Sequence, residues 1–574
     1  MSNFNKHTLQ TWLRWEYLLI PLYCLFAQLH LGLAPFSFED HFIFTQVLHL
    51  IIIIFIPLQF RKISAANTSH VYMYGFGFLI FHLIFQTLFS FFFIPVCQWS
   101  YGLGWYILQE IPSIFILTSL CIFCFSKQNK KWLSIAWIVG FIIFFFLFNL
   151  YDLLETPTLF ILHPTIGYFP GPIFDTWIPI YTPLVLFRIW TLTMGYALFK
   201  TAKKPKSYAL IWLMFTPLLF RGTLGFFSSH EKIQKTLSNH YKTEYATIYS
   251  YKNNILPHEL AMIDLTIKSI ANDLGAKLPS KPIDIYVYQD DLLKKKLTGS
   301  QFTMIGNPRQ KALHLLDLSI WDELITHELT HVIASSLSTN PLRMNLNMSV
   351  TEGAAMFSQR WIDHQSIDVW AKAILQYREN TKLTDFFSTH RFYQLPSLHA
   401  YALSGSFVSF LIHQYGVEKF HDLYLGHNLE SVYQVSSAHL EKMWKSYIDT
   451  IELTDIQYQS MLLRLNQKPT FQQKCIHEIA QARYNFRKCE TDTCKIRFAF
   501  VAYSCNTDNT LNVWKYFTLL LQQQKFQKAQ KFASTSTTFK ETYDLFHDKI
   551  YHGNFEKIYH THPLLLQKFV LDQP

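Results

Sequence analysis

Apolar residues run in long blocks from the start of the chain to about Phe227, and then the blocks stop. A helix needs roughly 20 consecutive apolar residues to cross the hydrocarbon core of a bilayer. Seven stretches meet that requirement: Tyr17–Pro35, Phe42–Phe60, Val71–Val96, Leu103–Phe125, Trp132–Tyr151, Ile178–Leu198 and Tyr208–Phe227. The first is too long for a cleaved leader, lacks a small-residue cleavage site and is followed almost at once by another span. Beyond Phe227 the periodicity changes. Glu244–Tyr251 and Ile283–Tyr288 are rich in β-branched and aromatic residues, as strands are, and Ala312–Leu316 reads as a shorter strand. Pro257–Asp273 places apolar residues at helical spacing and ends before Gly275, while Trp321–Ser336 and the segment from Ser349 to Trp361 read as further helices. From about Thr454 the pattern is helical. The chain thus divides into an all-α polytopic membrane domain (1–228), an α+β soluble domain (229–453) and an α-helical C-terminal region (454–574).

Half of the 574 residues are hydrophobic, 52 are Phe and only 16% are charged, which excludes a disordered chain. The net charge of +10 would fit a nucleic-acid binder, but its distribution does not. Residues 1–228 hold 13 Lys and Arg against 7 Asp and Glu; the rest hold 37 against 33, without the basic, aromatic-interleaved run that a phosphate-tracking groove needs. No nucleic-acid partner is expected. The surplus follows the connections between spans instead. Lys6 and Arg14 precede the first span, Arg61 and Lys62 follow the second, Lys127, Lys130 and Lys131 the fourth, and Lys200, Lys203, Lys204 and Lys206 the sixth. The loops around Glu39, around Cys97 and from Asp152 to Trp177 contain no Lys or Arg. The positive-inside rule then makes the N-terminus cytoplasmic, and seven crossings leave everything after Phe227 extracytoplasmic.

Cys475, Cys489, Cys494 and Cys505 cluster in the soluble part. Outside the cytoplasm, an even set with no C-x2-C pair predicts two disulfides rather than a zinc site. Within the spans, Glu110 and Arg188 lie near mid-membrane, with His30, His49 and His82. Ionisable groups at that depth are costly, and a Glu110–Arg188 pair that fixes helix packing is the expected arrangement. The loop His163–Pro172, rich in Pro and aromatics, reads as a rigid connector lying against the membrane surface, with a substrate platform as the alternative.

One motif carries chemistry. Helix 321–336 contains His327-Glu328-Leu-Thr-His331. Two His four residues apart leave the same helix face and can converge on one metal ion, and Glu328 is placed to reach a water there. With 25 His and 19 Glu in the chain, H-E-x-x-H arises by chance only about 0.04 times. A catalytic zinc takes three protein ligands and keeps an open position. Ala334 and Leu337 stand where the extended motif has Gly and a third His, and no Asp, Glu, His or Cys occurs from Val332 to Thr351. The first candidate for the third ligand is Glu352, on a second helix that Gly353, Ala354 and Ala355 would let approach the first closely.

The segments Thr326–Val332 and Thr351–Ala355, with the later Ala400–Gly416, resemble the gluzincin peptidases, most closely the small peptidase MA-like domains, over about residues 240–450. The resemblance implies a thermolysin-like α+β fold, Zn2+ held by His327, His331 and Glu352, and Glu328 as general base. It also implies that Ala400–Gly416 backs the site and that Ala312–Leu316 is the sheet-edge strand along which an extended peptide pairs. Tyr401 is the nearest match to the tyrosine that stabilises the oxyanion in the aminopeptidase branch, with its Gly spacing different by one. His399 is a second neutral donor on that helix.

The leading expectation is therefore a membrane-anchored zinc metallopeptidase, its catalytic domain facing outward and its substrate a peptide or protein. A CAAX-type membrane protease acting at the bilayer is a second reading, although His327 lies a hundred residues beyond the last span. A non-catalytic peptidase-like receptor or assembly scaffold is a third, which the intact ligands and Glu328 oppose. In the C-terminal region Leu519–Ala533 resembles one helix–turn–helix of a tetratricopeptide array, where three or more copies would be expected. That region could bind a protein partner or form part of the substrate cleft.

Overall fold

The structure is a computed structural model and describes residues 15–31, 33–59, 68–93, 96–127, 130–170, 176–203, 216–316, 323–469 and 475–536. It contains two compact units: residues 1–236 with 290–303, and residues 237–289 with 304–574.

The first unit opens with α1 (Leu19–Leu25), flanked by a 3-10 turn (Trp15–Leu18) and a π turn (Phe26–His30). Among the described residues, five helices are long and apolar enough to cross a membrane: α2 (Phe38–Gln59), α3 (Thr68–Phe92), α4 (Trp99–Lys127), α5 (Lys131–Glu155) and α6 (Thr182–Lys203). They coincide with the second to sixth predicted spans. The first predicted span takes the mixed helical form of α1 and its flanks. Residues 208–215 of the seventh lie outside the described residues, as do Lys6, Arg14, Arg61, Lys62, Lys204 and Lys206. In lipid the solvent is apolar, so polar groups turn inward. Phe91, Phe92, Trp132 and Leu147 are exposed, whereas Asp40, His41, His82, Gln86, Glu110 and Arg188 are buried.

One expectation for this unit fails. Arg188 does not pair with Glu110: its guanidinium donates to the carbonyls of Leu108, Gln109 (2.8 Å) and Pro164 (3.2 Å) and to Ser113 Oγ (2.6 Å). The cause is a π turn at Tyr106–Glu110 inside α4, which redirects local carbonyls away from the ordinary helical ladder. Glu110 faces His41 and His82 instead. The His163 loop is a structured connector, as expected. It forms a hairpin of β1 (Ile161–His163) and β2 (Gly167–Phe169), with His163, Thr165 and Tyr168 buried. The Gln109 side chain stitches it in place, donating to Ile166 O (2.7 Å) and accepting from Tyr168 N (3.0 Å). Residues 171–175 of the loop lie outside the described residues. The helix α7 (His230–Thr236) ends the first part of this unit.

The second unit is built on a five-stranded sheet of order β3-β4-β5-β7-β6. Its strands are β3 (Asn239–Lys242), β4 (Ala246–Ser250), β5 (Ile283–Val287), β6 (Ile305–Asn307) and β7 (Ala312–Leu315). β4, β5 and β7 are parallel; β3 and β6 are the antiparallel edges. The central strands are buried on both faces: Ile283, Ile285, Val287, Leu313 and Leu315 alternate along one face, and Tyr286, Ala312 and His314 are buried on the other. Helix α8 (Pro257–Asp273) links β4 to β5, with Ile263, Ile267 and Ile270 turned to the core at helical spacing. Residues 290–303 between β5 and β6, including α9 (Asp291–Thr298), belong to the first unit.

The sheet corrects one expectation. Ala312–Leu315 is an interior strand, flanked by β5 and β6. The edge is β6, whose Ile-Gly-Asn sequence carries little strand signal.

Helices follow the sheet: α10 (Glu323–Ala334), α11 (Met348–Gln359), α12 (Ile367–Tyr377), α13 (Thr389–Gln394), α14 (Ser397–Tyr415), α15 (Val417–Tyr424), α16 (Leu429–Tyr433) and α17 (Ser437–Asp449). The predicted start of α10 at Trp321 lies outside the described residues. After them come α18 (Asp455–Leu465) and two successive helical pairs, α19 (Ile476–Lys488) with α20 (Asp492–Cys505) and α21 (Thr510–Gln522) with α22 (Phe526–Thr535). The last pair closes over Trp514, Phe517, Leu520, Ala529 and Phe532.

Candidate metal centre

α10 and α11 bring the chemistry together. α10 buries Ile325, Leu329, Val332 and Ile333 in the core, so the remaining face, with His327, Glu328 and His331, is left for the site. α11 is started by Asn347, whose side chain accepts from Ser349 N at 3.1 Å. The preceding loop is pinned by Asn345 Nδ2, which donates to the carbonyls of Leu423 (2.8 Å) and Tyr424 (2.9 Å). These anchors set the height of Glu352. Against α14 the helix is held by close contact at small residues: a Cβ on Gly353 would meet Val408 Cγ2 at 2.6 Å and Ser404 O at 2.8 Å, and one on Gly405 would meet Met356 Cβ at 2.5 Å. Gly353 therefore serves the α11–α14 crossing, not the approach of α11 to α10 that the sequence led us to expect.

Glu352 Oε2 lies 3.1 Å from His327 Nε2 and 3.5 Å from His331 Nε2, and the three side chains are only 10%, 8% and 12% exposed. Their ligand atoms all fall within 4.8 Å of one another. Little solvent screens them, so the electrostatics are strong. Burial would raise the Glu352 carboxyl, but the His331 and His327 imidazoles outweigh it and hold the group well below the usual carboxylate range. Burial would likewise lower His331, yet the Glu352 carboxylate pushes it up to about 8. Two imidazoles and a carboxylate converging on one point are a zinc-type donor set. His327 meets a further requirement of such sites: its Nδ1 is 2.9 Å from Gln359 Oε1, and the amide of Gln359 is fixed in turn by donating to Trp361 O at 2.7 Å. That leaves Nε2 facing the point of convergence, which is how an outer partner orients a ligating imidazole. His327, His331 and Glu352 fit a zinc ion.

Glu328 is placed by the edge strand. Its Oε2 accepts from Gly306 N in β6, and the strand runs so close to α10 that only a glycine fits at 306. The Tyr401 ring sits 5.8 Å from the His327 ring and 5.2 Å from that of Phe392. Burial, reinforced by the Glu352 and Glu328 carboxylates, pushes its phenol well above the ordinary tyrosine range, so it stays a neutral donor. His399 does not reach the site. Two residues from Tyr401 on α14, it faces away, its ring 6.2 Å from that of Tyr377, and burial lowers its pKa to about 4, with Arg378 adding to the effect.

Gly306 and Gln359 escape a sequence reading. Gly306 left no signal, because its role is set by a strand that the local pattern does not announce. Gln359 left one: it stands seven residues after Glu352, two helical turns, and so shares its face. The cysteines differ from expectation too. Cys489 and Cys494 form a disulfide, but Cys505 is free, so the four do not close into two bonds among themselves.

No curated protein and no solved structure matches the chain. A family model for the Peptidase MA superfamily matches residues 263–450. That range runs from within α8 through α17 and takes in His327, Glu328, His331, Glu352 and Tyr401; the match supports a peptidase MA-like domain, a peptidase-type enzyme at the coarse level, in a chain with five helices long and apolar enough to cross a membrane among its described residues.

Proposed function

We propose that the protein is a membrane-anchored zinc metallopeptidase of gluzincin type, and that it hydrolyses peptide bonds on the extracytoplasmic side. The observation that carries the reading is the convergence of His327, His331 and Glu352 beside a Glu328 that the edge strand holds in place. When bound there, zinc supplies Lewis acidity, which polarises a scissile carbonyl and lowers the pKa of water. Glu328 acts as general base: its carboxylate takes a proton from the attacking water and returns it to the leaving amine. The Tyr401 hydroxyl, kept protonated by its surroundings, donates to the oxyanion that develops at the scissile carbonyl. An extended substrate pairs with β6, the sheet edge next to Glu328, in place of the interior strand Ala312–Leu315.

The outward orientation rests on the Lys/Arg alternation between spans and on the Cys489–Cys494 disulfide, a bond that persists outside the reducing cytosol. The test is made on the full chain in detergent. Wild type and Glu328→Gln are compared for zinc content and for cleavage of a peptide library. Glu328→Gln, nearly isosteric and not a ligand, should keep its zinc while hydrolysis falls by about 10²-fold or more. Equal cleavage by the two proteins would remove the hydrolysis from this site, and no cleavage by a zinc-loaded wild type would favour a scaffold.

A further inference from the structure

A second group of the same composition lies in the helical unit. His41 on α2, His82 on α3 and Glu110 at the π turn of α4 are all fully buried. His41 Nδ1 is 2.5 Å and His82 Nδ1 3.0 Å from the same oxygen, Glu110 Oε1. Their ligand atoms fall within 4.8 Å of one another, as those of His327, His331 and Glu352 do. Both trios thus aim two imidazole nitrogens at one carboxylate oxygen.

The surroundings of the first trio are built as well. His82 stacks on Phe44, with centroids 3.5 Å apart, and its Nε2 faces the Gln86 amide nitrogen at 3.0 Å and Asp40 Oδ2 at 3.5 Å. Asp40 is held in turn by Gln86 Nε2 (2.6 Å) and Tyr23 Oη (3.1 Å). A carboxylate behind the far nitrogen of a histidine is the outer-shell arrangement that fixes a ligating imidazole.

Charge balance points the same way. Asp40 and Glu110 bury two carboxylates, and among the described residues no Lys or Arg pairs with either; the Arg188 donors go to carbonyls and Ser113. One divalent cation with two neutral imidazoles neutralises both carboxylates.

We infer that His41, His82 and Glu110 form a second metal site, inside the membrane-embedded unit, for a zinc-class divalent cation. The ion ties α2, α3 and α4 together, and with three protein ligands it keeps a fourth position for water or a small ligand. The inference does not depend on the peptidase reading.

Zinc is measured by mass spectrometry on the full chain in detergent, after equilibration with free zinc and desalting. Wild type should hold about two equivalents and His327→Ala/His331→Ala about one. Adding Glu110→Gln to that double variant should remove the remaining equivalent. In the double variant, where the intramembrane residues are native, zinc should also raise the thermal midpoint. Cobalt loaded into the same variant should give the intense d–d bands of a four-coordinate ion. Absence of zinc and of any thermal shift in the double variant, weak six-coordinate cobalt bands, or retention of the metal after Glu110→Gln would each overturn the site. The peptidase reading fails by a different result, namely a double variant that binds as much zinc as wild type.

Discussion

Gly306→Ala separates the placement of Glu328, the proposed general base, from the proposed binding of metal. A Cβ at position 306 would lie 2.2 Å from the carbonyl oxygen of Glu328, 2.9 Å from its carbonyl carbon and 3.1 Å from its Cα. All three are backbone atoms, so no rotamer change relieves the clash, and β6 and α10 must part by about 1 Å to restore van der Waals contact. The movement takes Gly306 N away from Glu328 Oε2, the hydrogen bond that fixes the carboxylate. Overpacking of this kind costs about 1–3 kcal/mol of stability, and a misplacement of about 1 Å at a catalytic group lowers the rate about 10²-fold. The metal ligands on α10 and α11 are not displaced relative to one another, so zinc content should stay at the wild-type level. The assay is kcat on a fluorogenic peptide that wild type cleaves, with zinc measured on the same preparation. A folded Gly306→Ala protein with wild-type kcat would show that Glu328 does not depend on the edge strand. Simultaneous loss of zinc would show that the strand supports the whole centre instead.

Gln359→Leu removes the partner of His327 Nδ1 and should weaken zinc binding by about 10–100-fold, read by chelator competition; unchanged affinity would mean that α10 alone orients the imidazole. His399 is buried with its pKa lowered to about 4, so the unfolded chain takes up its proton first as the pH falls. Stability is complete above the ordinary value near 6.5 and declines from there toward pH 4, by roughly 2 kcal/mol at pH 5. His399→Phe should flatten that acid limb in chemical denaturation of the full chain, and an unaltered limb would place the titration elsewhere. A reporter fused after Lys206 should be cytoplasmic and one fused after Ser229 external; the opposite pattern would move the catalytic domain into the cytosol.

What the sequence determined by itself is what local geometry determines. Whether Phe38–Gln59 or Lys131–Glu155 can cross a bilayer depends only on length and polarity within the segment. His327, Glu328 and His331 share a helix face because 3.6 residues make a turn, and α8 begins and ends where its pattern says. Periodicity names the face that is buried but not the neighbour it meets. Glu110 and Arg188 looked like natural partners by charge. Their pairing was decided by a π turn in α4 and by α2 and α3, which present His41 and His82 from 69 and 28 residues away. The same holds at the zinc-type centre. Glu352 could be proposed as the nearest available carboxylate, but the edge position of β6, the requirement for glycine at 306 and the grip of Gln359 on His327 exist only once sheet and helices are packed. Contacts between distant segments are settled by close packing and hydrogen-bond satisfaction throughout the fold, and no window along the chain contains that information.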